Sequence, residues 1–351
     1  MADTFALKKF SDLNLNDSFF DSLKTAYPGT NSTPSFTDWF LKKSKEDRTA
    51  LVFQDDDGLG AFISLKQETE SLPLQDSILS KKLRLKISTI KIADRFRGQR
   101  LGEGSIGLVL WQWQRLGVEE IYVTVFDQQE LLISQLTRYG FIKVGYNPNG
   151  EGVYLRSRNN IDYSDPYKSF PFINPNFENA GYLCVEDNYH DTLFPYSELK
   201  NTLQTSVALN VRNGLSKIYV GAQFTPPPYK VGEPIFIYRI HTGSGVKRYK
   251  SCLTSFCIVT DVIAVKRNEH IAKQHKKRLP HKNVRKPFLM RFSALKGDIV
   301  RLYPASAFRR VLWYVNPLDD TVPERTPPFL RECVIDGTET AVKDRLIFLY
   351  R

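Results

Sequence analysis

Apolar residues stand at every second position in two parts of residues 85–92, at Leu85 and Ile87 and then at Ile90 and Ile92, which is typical of a strand. In residues 106–113 the apolar positions instead recur at i, i+3, i+4 and i+7, which places them on one face of a helix. Gly117 follows that pattern and can end the helix. The sequence therefore predicts a strand, a tight turn and a helix in the middle of its first half.

The same two patterns continue through the first 158 residues. Strands are predicted at 4–9, 49–54, 60–66, 120–126 and 141–144, and helices at 13–27, 36–45 and 129–138. The strands on either side of residues 55–58 are expected to pair as a hairpin. Gly140 stops the last of these helices and a new strand begins after it. This alternation indicates an α/β domain.

The turn before the central helix, residues 97–102, has the sequence Arg-Gly-Gln-Arg-Leu-Gly. Two glycines and flanking arginines let backbone N–H groups approach an anion at a helix N-terminus, and the natural ligand is a phosphate or pyrophosphate. The glycine spacing does not fit the dinucleotide motif G-x-G-x-x-G, and no Lys-Ser/Thr pair follows Gly102 as a nucleotide-triphosphate loop requires. A solvated basic turn without a ligand is the alternative.

This turn resembles the acyl-CoA loop of the GNAT acetyltransferases, R/Q-x-x-G-x-G/A. Arg97 and Gly102 match its first and last places, and Arg100 replaces its middle glycine. The element order of residues 1–158, with a Gly-Phe pair at 140–141, is also similar to that of GNAT domains. The resemblance implies an α/β GNAT domain with a mixed, splayed sheet flanked by helices.

The resemblance also implies acetyl-CoA as the cofactor, lying between the strand that ends at Ile92 and the strand at 120–126. The cofactor-binding residues it implies are Ile90, Ile92, Arg97, Gly98, Gln99, Arg100, Leu101, Gly102 and Gln129. A backbone N–H in the strand would polarise the thioester carbonyl, an assistance of about 3 kcal/mol per donor in other acyl transfers. Arg95 would join Arg97 and Arg100 in binding the phosphates.

The general acid is where the sequence departs from the family. Many GNAT domains place a Tyr five residues before the Phe of the Gly-Phe pair to protonate the CoA sulfur, and this position is Leu136. Tyr139 and Tyr146 are the alternative catalytic donors, and Ser134 or a water molecule could also supply the proton. Glu68 or Glu70 is the candidate base, acting through water.

Positive charge is concentrated in the second part of the chain. Residues 1–160 carry 21 Lys/Arg and 20 Asp/Glu, whereas the remaining residues carry 28 and 18. One segment holds nine basic residues and a single acidic one, and we predict that its basic residues bind nucleic acid: Lys266, Arg267, Lys273, Lys276, Lys277, Arg278, Lys282, Arg285 and Lys286. RNA is favoured over DNA, and a solvated loop and a localisation signal are the alternatives.

The second part is predicted to be mainly β, after an aromatic and Pro-rich linker at 159–179. Predicted strands lie at 216–223, 234–240, 255–265, 288–292, 300–303 and 311–314. Residues 230–238 and 257–263 resemble the core of PUA-like (ASCH/EVE) barrels, which implies a basic barrel domain at 180–351 that binds RNA or a modified base. An unrelated small barrel is the alternative.

Other classes of site have little support in the sequence. The four cysteines form no CxxC pair, so no metal site is expected and free thiols in a cytoplasmic protein are predicted. No apolar stretch of 18 residues and no signal peptide is found, so a membrane partner is not expected. A homodimer is left open.

Two functions from different classes remain. The first is an acetyl-CoA-dependent N-acetyltransferase that acts on a primary amine of an RNA-associated acceptor: an aminoacyl-tRNA, an RNA base or an RNA-bound protein. The aminoacyl-tRNA case follows by analogy with GNAT toxins of toxin–antitoxin pairs. The second is a non-catalytic reader of nucleic acid or of a modified base, with a degenerate GNAT domain. Leu136 favours the second function, and the loop at 97–102 favours the first.

Overall fold

The structure is a computed structural model that describes residues 5–31, 33–174, 176–177, 180–194, 215–221, 230–244, 251–264 and 288–295. The chain divides into two compact units, Met1–Asp162 and Tyr163–Arg351. The described strands form one sheet in each unit.

The first unit is built on a seven-stranded mixed sheet in the order β1-β2-β3-β4-β5-β7-β6. Its strands are β1 (Ala6–Lys9), β2 (Thr49–Asp55), β3 (Gly58–Pro73), β4 (Ile78–Ile92), β5 (Glu120–Val125), β6 (Ile142–Tyr146) and β7 (Gly152–Ser157). Strands β4 and β5 are parallel, and the other neighbouring strands are antiparallel. The helices are α1 (Asp21–Ala26), α2 (Phe36–Lys45), α3 (Leu101–Leu116) and α4 (Glu130–Arg138). This is the mixed sheet with flanking helices that the GNAT resemblance implies.

Burial of apolar side chains explains why these helices form where they do. The predicted face of α3 is buried, and Gly117 ends the helix in the left-handed conformation with φ 70°. A second part of the core is aromatic, with rings from the N-terminal turns, α2 and β3: Phe10, Phe20, Phe36, Phe40 and Phe62. Removal of one such buried ring typically costs about 3–5 kcal/mol.

The predicted helix at 13–27 is shorter in the structure. It consists of a 3-10 turn at Ser18–Phe20 followed by α1. The Asp17 carboxylate accepts a hydrogen bond from the Phe19 N–H at 2.8 Å, so this side chain forms a local turn before the helix can start.

Strands β3 and β4 are much longer than predicted and form an arm of 16 and 15 residues. The polar residues at 67–71 do not alternate cleanly with apolar ones, which is why the sequence pattern ends too early. The apolar side chains near the tip of the arm pack on strands β5, β6 and β7, and they are Leu72, Leu74 and Leu79. The arm therefore covers one face of the sheet.

The second unit contains a five-stranded sheet in the order β8-β10-β11-β12-β9. Its described elements are α5 (Pro166–Ser169), β8 (Gly181–Glu186), α6 (Asp187–Leu193), β9 (Ser216–Gly221), β10 (Pro234–Ile240), β11 (Cys252–Ala264) and β12 (Phe288–Leu295). Strands β9 to β12 overlap four of the predicted strands, whereas those predicted at 300–303 and 311–314 lie outside the described residues. The PUA-like barrel stays a prediction.

Candidate functional site

The parallel strands β4 and β5 are paired over only part of their length. Their register runs from Arg84↔Glu120 to Ile87↔Val123 and then ends. Beyond this point β4 continues to Ile92 alongside β3, and β5 continues alongside β7. The sheet is therefore split between the carboxyl ends of β4 and β5, and this gap is called the groove below.

A β-bulge lies where the groove begins. In the pairing of β3 with β4, Ser64↔Thr89 is followed by Leu65↔Ile87, so Ser88 is an extra residue in β4. A bulge increases the local twist of a strand, which turns the end of β4 away from β5. Within the described strands, the β5-facing edge of residues 88–92 has no partner. Ile90 and Ile92, the predicted backbone contacts, lie in this segment.

The turn at 97–102 leads from the groove into α3. Gly98 and Arg100 have φ of 76° and 59°, so both adopt the left-handed conformation. The helix ladder starts with the Gly104 N–H, which donates to the Arg100 carbonyl at 3.0 Å. The N–H groups of Leu101 and Gly102 precede this bond and have no acceptor within the helix. The turn therefore offers backbone donors to an anion.

The structure explains how an arginine replaces the middle glycine of the loop motif. The Arg100 guanidinium donates two hydrogen bonds to the Glu103 carboxylate, at 2.8 and 2.6 Å, and this pair is largely buried. Holding the side chain in this way offsets the cost of about 1–2 kcal/mol that a non-glycine residue meets in the left-handed region. Arg100 thus adopts a left-handed conformation that glycine reaches more easily, and its charge is neutralised by Glu103.

The other two predicted phosphate-binding arginines are also paired with carboxylates. Arg95 contacts Asp55 at 2.7 Å, and Arg97 contacts Asp94 at 2.9 Å. The Arg97 side chain keeps 75% of its surface exposed. Because exposed ion pairs contribute little free energy, Arg97 can exchange Asp94 for a phosphate at small cost. Gln99 donates from its Nε2 to the Arg95 carbonyl at 3.1 Å, which braces the turn.

Gly102 lies directly against the end of β4. A Cβ atom built on Gly102 would lie 3.3 Å from Ile92 Cδ1, and one built on Gly98 would meet open space. The first turn of α3 thus packs closely on the wall of the groove, and a side chain at position 102 would push the end of the Ile92 side chain aside. The groove is lined by an unpaired strand edge and ends at the start of α3, where Gly102 is partly exposed and its N–H has no acceptor within the helix. This arrangement fits an extended ligand with a phosphate at one end.

The candidate proton donors lie in different surroundings. Leu136 and Tyr139 are fully buried in the described structure. The Tyr146 hydroxyl instead donates to Asp127 Oδ2 at 2.7 Å, just beyond the end of β5. Gln129 is exposed, and its N–H donates to the Phe126 carbonyl at 2.9 Å. Tyr146 and Gln129 therefore lie near the residues that follow β5, and the Tyr139 side chain is fully buried.

Asp127 is held in its charged form by its neighbours. The hydrogen bond from Tyr146 and that from Lys143 lower the pKa of Asp127. The Lys143 ammonium also lies 3.7 Å from the centre of the Tyr146 ring. The ammonium thus restricts the Tyr146 ring, and the carboxylate fixes the direction of its hydroxyl.

Glu68 lies away from the open end of the groove. It is paired in register with Arg84, several residues before the strands separate, and it is 9% exposed. The Tyr122 hydroxyl and the Lys66 ammonium both donate to its carboxylate. Burial raises the pKa of Glu68, but these two hydrogen bonds and the charges of Lys66 and Lys86 together leave the pKa below its usual value. Glu68 is thus a weak base whose oxygens already bind two donors.

A contact that the sequence analysis missed lies at the same end of the groove. Tyr27, just after α1, donates a hydrogen bond to Glu151 Oε1 at 3.3 Å, and its ring lies 6.0 Å from that of Phe126. Burial and the Glu151 charge raise the pKa of Tyr27 to about 12. The loop after α1 and the loop before β7 thus meet beside the end of β5, and the place where they meet is called the mouth below. No sequence pattern connects residues 124 positions apart.

The nine basic residues predicted to bind nucleic acid lie outside the described residues. Among the described residues, no cluster of His, Cys, Asp and Glu could hold a metal ion. The described helices include none that is long and apolar enough to cross a membrane. Cys184 and Cys257 are free thiols, and burial raises the pKa of Cys184.

Neither a protein-family model nor a curated protein sequence matches the chain. Solved structures match its N-terminal part. Arabidopsis thaliana NAA60 in complex with acetyl-CoA is 16% identical, covers 45% of this chain and 100% of its own, and has a TM-score of 0.31. The NatC complex bound to Gag peptide and CoA is 18% identical, covers 43% and 95%, and has a TM-score of 0.28. The KacTA–DNA complex is 15% identical, covers 44% and 94%, and has a TM-score of 0.27.

Proposed function

We propose that the first unit is an acetyl-CoA-dependent N-acetyltransferase. The observation that carries this proposal is the groove between β4 and β5, which ends at the backbone donors of the turn at 97–102. In a continuous sheet the edges of β4 and β5 would hydrogen-bond to each other. An extended ligand in the groove could instead bind the backbone groups that the split leaves unpaired. The family resemblance names that ligand as acetyl-CoA.

The residues for cofactor binding follow from this geometry. The N–H groups of Leu101 and Gly102, together with the flexible Gly98, would hold the pyrophosphate. The edge of β4 near Ile90 and Ile92 would hold the pantetheine amides. When bound, the cofactor supplies an acetyl group activated as a thioester.

We place the proton donor at Tyr146, because Tyr139 is fully buried. The Tyr146 hydroxyl holds its proton at the open end of the groove, and Asp127 Oδ2 orients it. The acceptor amine would enter through the mouth beside Tyr27 and Glu151. A carboxylate there favours an approaching ammonium group over a neutral or anionic one.

A titration calorimetry experiment tests this proposal. Acetyl-CoA should bind the wild type saturably, and Gly102→Glu should abolish binding, because a carboxylate at the start of α3 repels the pyrophosphate and its side chain crowds Ile92. Leu116→Glu, which adds the same charge at an exposed position of the last turn of α3, is the matched control and should bind normally. Absence of binding to the wild type would refute the proposal.

We further propose that the second unit binds nucleic acid, with RNA favoured, and that the acceptor is therefore RNA-associated. The concentrated positive charge at 266–286 supports this. Ala264 and Phe288 are paired in register, so the segment between them is attached at both ends to neighbouring strands. Affinity for a single-stranded RNA should fall steeply with salt, and replacing Lys276, Lys277 and Arg278 by Gln should reduce the salt slope by about 2. An unchanged slope would contradict this role.

A second function has one specific observation in its favour. Leu136 is fully buried where many GNAT domains have the catalytic Tyr. In this alternative, the first unit binds CoA without turnover and the chain is a reader of nucleic acid or of a modified base. Normal acetyl-CoA binding, with no CoA release in the presence of amines and charged tRNA, would favour it over the enzyme.

A further inference from the structure

Lys91 occupies an unusual place in the wall of the groove. It lies in the unpaired segment of β4, between Ile90 and Ile92. Ile92 faces α3, because its Cδ1 lies beside Gly102. Since side chains alternate along a strand, Lys91 points to the face of the sheet opposite α3. Helix α1 lies on this face, and Tyr27 at the mouth directly follows α1. The Lys91 ammonium donates to the Ser22 hydroxyl in α1.

The Lys91 ammonium lacks a counter-ion in the part of the chain that the structure describes. Its nitrogen lies 5.0 Å from the centre of the Phe19 ring, and no carboxylate lies within ion-pair distance. By contrast, the lysines at 66, 82 and 143 each contact a carboxylate. Lys91 is thus a half-buried amine that no ion pair holds in its charged form.

Burial favours the neutral form of this amine. Desolvation lowers the pKa of Lys91, against the opposing charges of Asp94 and Asp21. A larger neutral fraction makes the amine a better nucleophile at physiological pH. The lysine therefore combines a position in the wall of the groove with a larger neutral fraction than an ordinary lysine has.

We propose that Lys91 is an internal acyl acceptor, modified on its Nζ by the acetyl-CoA that the groove binds. This inference rests on the proposed function. The lone pair of the neutral Nζ attacks the thioester carbonyl carbon, a C–N bond forms and the C–S bond breaks. The sulfur leaves with the bonding electron pair and takes up the proton that Nζ loses, so the products are N-acetyl-lysine and CoA. No other reactant is needed.

The test compares two lysines of the same strand by mass spectrometry. Lys81 also lies in β4, but it is exposed and precedes the groove. After incubation of the full chain with acetyl-CoA, Lys91 should be acetylated at least about tenfold faster than Lys81, because a bound donor has a high effective concentration. Gly102→Glu should reduce Lys91 to the Lys81 rate. Equal rates at the two lysines in the wild type would overturn the inference.

A second readout does not depend on turnover. Trace labelling with acetic anhydride should modify Lys91 more slowly when CoA is bound, whereas Lys81 should be unaffected. Lys91 labelling that is the same with and without saturating CoA would contradict its position beside the bound cofactor. The two proposals fail differently: acetyl-CoA that binds without modifying or protecting Lys91 refutes only this inference, whereas absence of binding refutes the proposed function as well.

Discussion

Gly60 in β3 connects the packing of the core to the candidate cofactor turn. A Cβ atom built there would lie 2.5 Å from Phe96 Cε2 and 2.6 Å from Phe53 Cδ1. These two rings pack edge to face, with centroids 5.3 Å apart, and both are buried. Phe96 belongs to the short turn directly before residues 97–102. Gly60→Ala should therefore displace the start of that turn.

Two opposing terms decide the size of the effect. Gly→Ala at a compatible backbone position stabilises by about 0.4–1 kcal/mol, because the unfolded chain loses freedom. Overpacking of a buried site costs about 1–3 kcal/mol, and neither ring can turn into solvent. The overpacking is larger, so we expect a net loss of about 1–2 kcal/mol in the free energy of unfolding. Acetyl-CoA affinity should fall as well.

Urea unfolding followed by tryptophan fluorescence is a suitable assay, because three of the four tryptophans lie in the first unit. Phe96→Leu in the Gly60→Ala background should restore part of the loss, so that the double variant is more stable than the sum of the single effects. A Gly60→Ala variant as stable as the wild type, or more stable, would show that the steric reasoning is wrong.

Three further substitutions test other parts of the structure. Tyr146→Phe should lower turnover by about 10²-fold and leave acetyl-CoA affinity unchanged. Turnover is measured as CoA release with a panel of primary amines, and undiminished turnover would exclude Tyr146 as proton donor. The raised pKa of Tyr27 means that, as the pH rises, the unfolded state loses this proton before the folded state does. The free energy of unfolding should therefore fall as the pH rises from about 10 to 12. Glu151→Gln should reduce that fall, and alkaline unfolding curves that coincide with the wild type would contradict this. Arg239→Leu leaves the buried Asp191 without the guanidinium that binds it at 2.8 Å. The free energy of unfolding of the second unit, measured by urea unfolding with circular dichroism, should fall by about 3–5 kcal/mol. A loss under about 1 kcal/mol would refute the buried pair as a stabilising contact.

Local patterns predicted the local features of the first unit well. The alternation at 85–92, the helical spacing at 106–113 and the glycines at 98 and 102 identify β4, α3 and the turn between them. Each of these depends on residues that are neighbours in sequence. A strand period, a helix period and a positive φ at glycine are properties of short segments, so a single sequence contains them.

Features that depend on tertiary packing could not be predicted in this way. The bulge at Ser88 follows from how β3 and β4 align, and the Tyr27–Glu151 contact joins two distant loops. Glu68 follows the predicted strand at 60–66, but the extended arm places it inside a strand beside Tyr122. Burial of Tyr139 likewise depends on how α4 packs on the sheet, so the choice between Tyr139 and Tyr146 required the structure.

Amide hydrogen exchange with and without acetyl-CoA tests the central claim most directly, because it locates the ligand along the backbone. Binding in the groove should slow exchange at residues 88–92 and 98–102, where the strand edge and the turn offer unpaired groups. Exchange in β2 should be unchanged, since that strand is paired on both sides. Protection confined to other segments, or no protection at saturating acetyl-CoA, would contradict the assignment of the groove as the cofactor site.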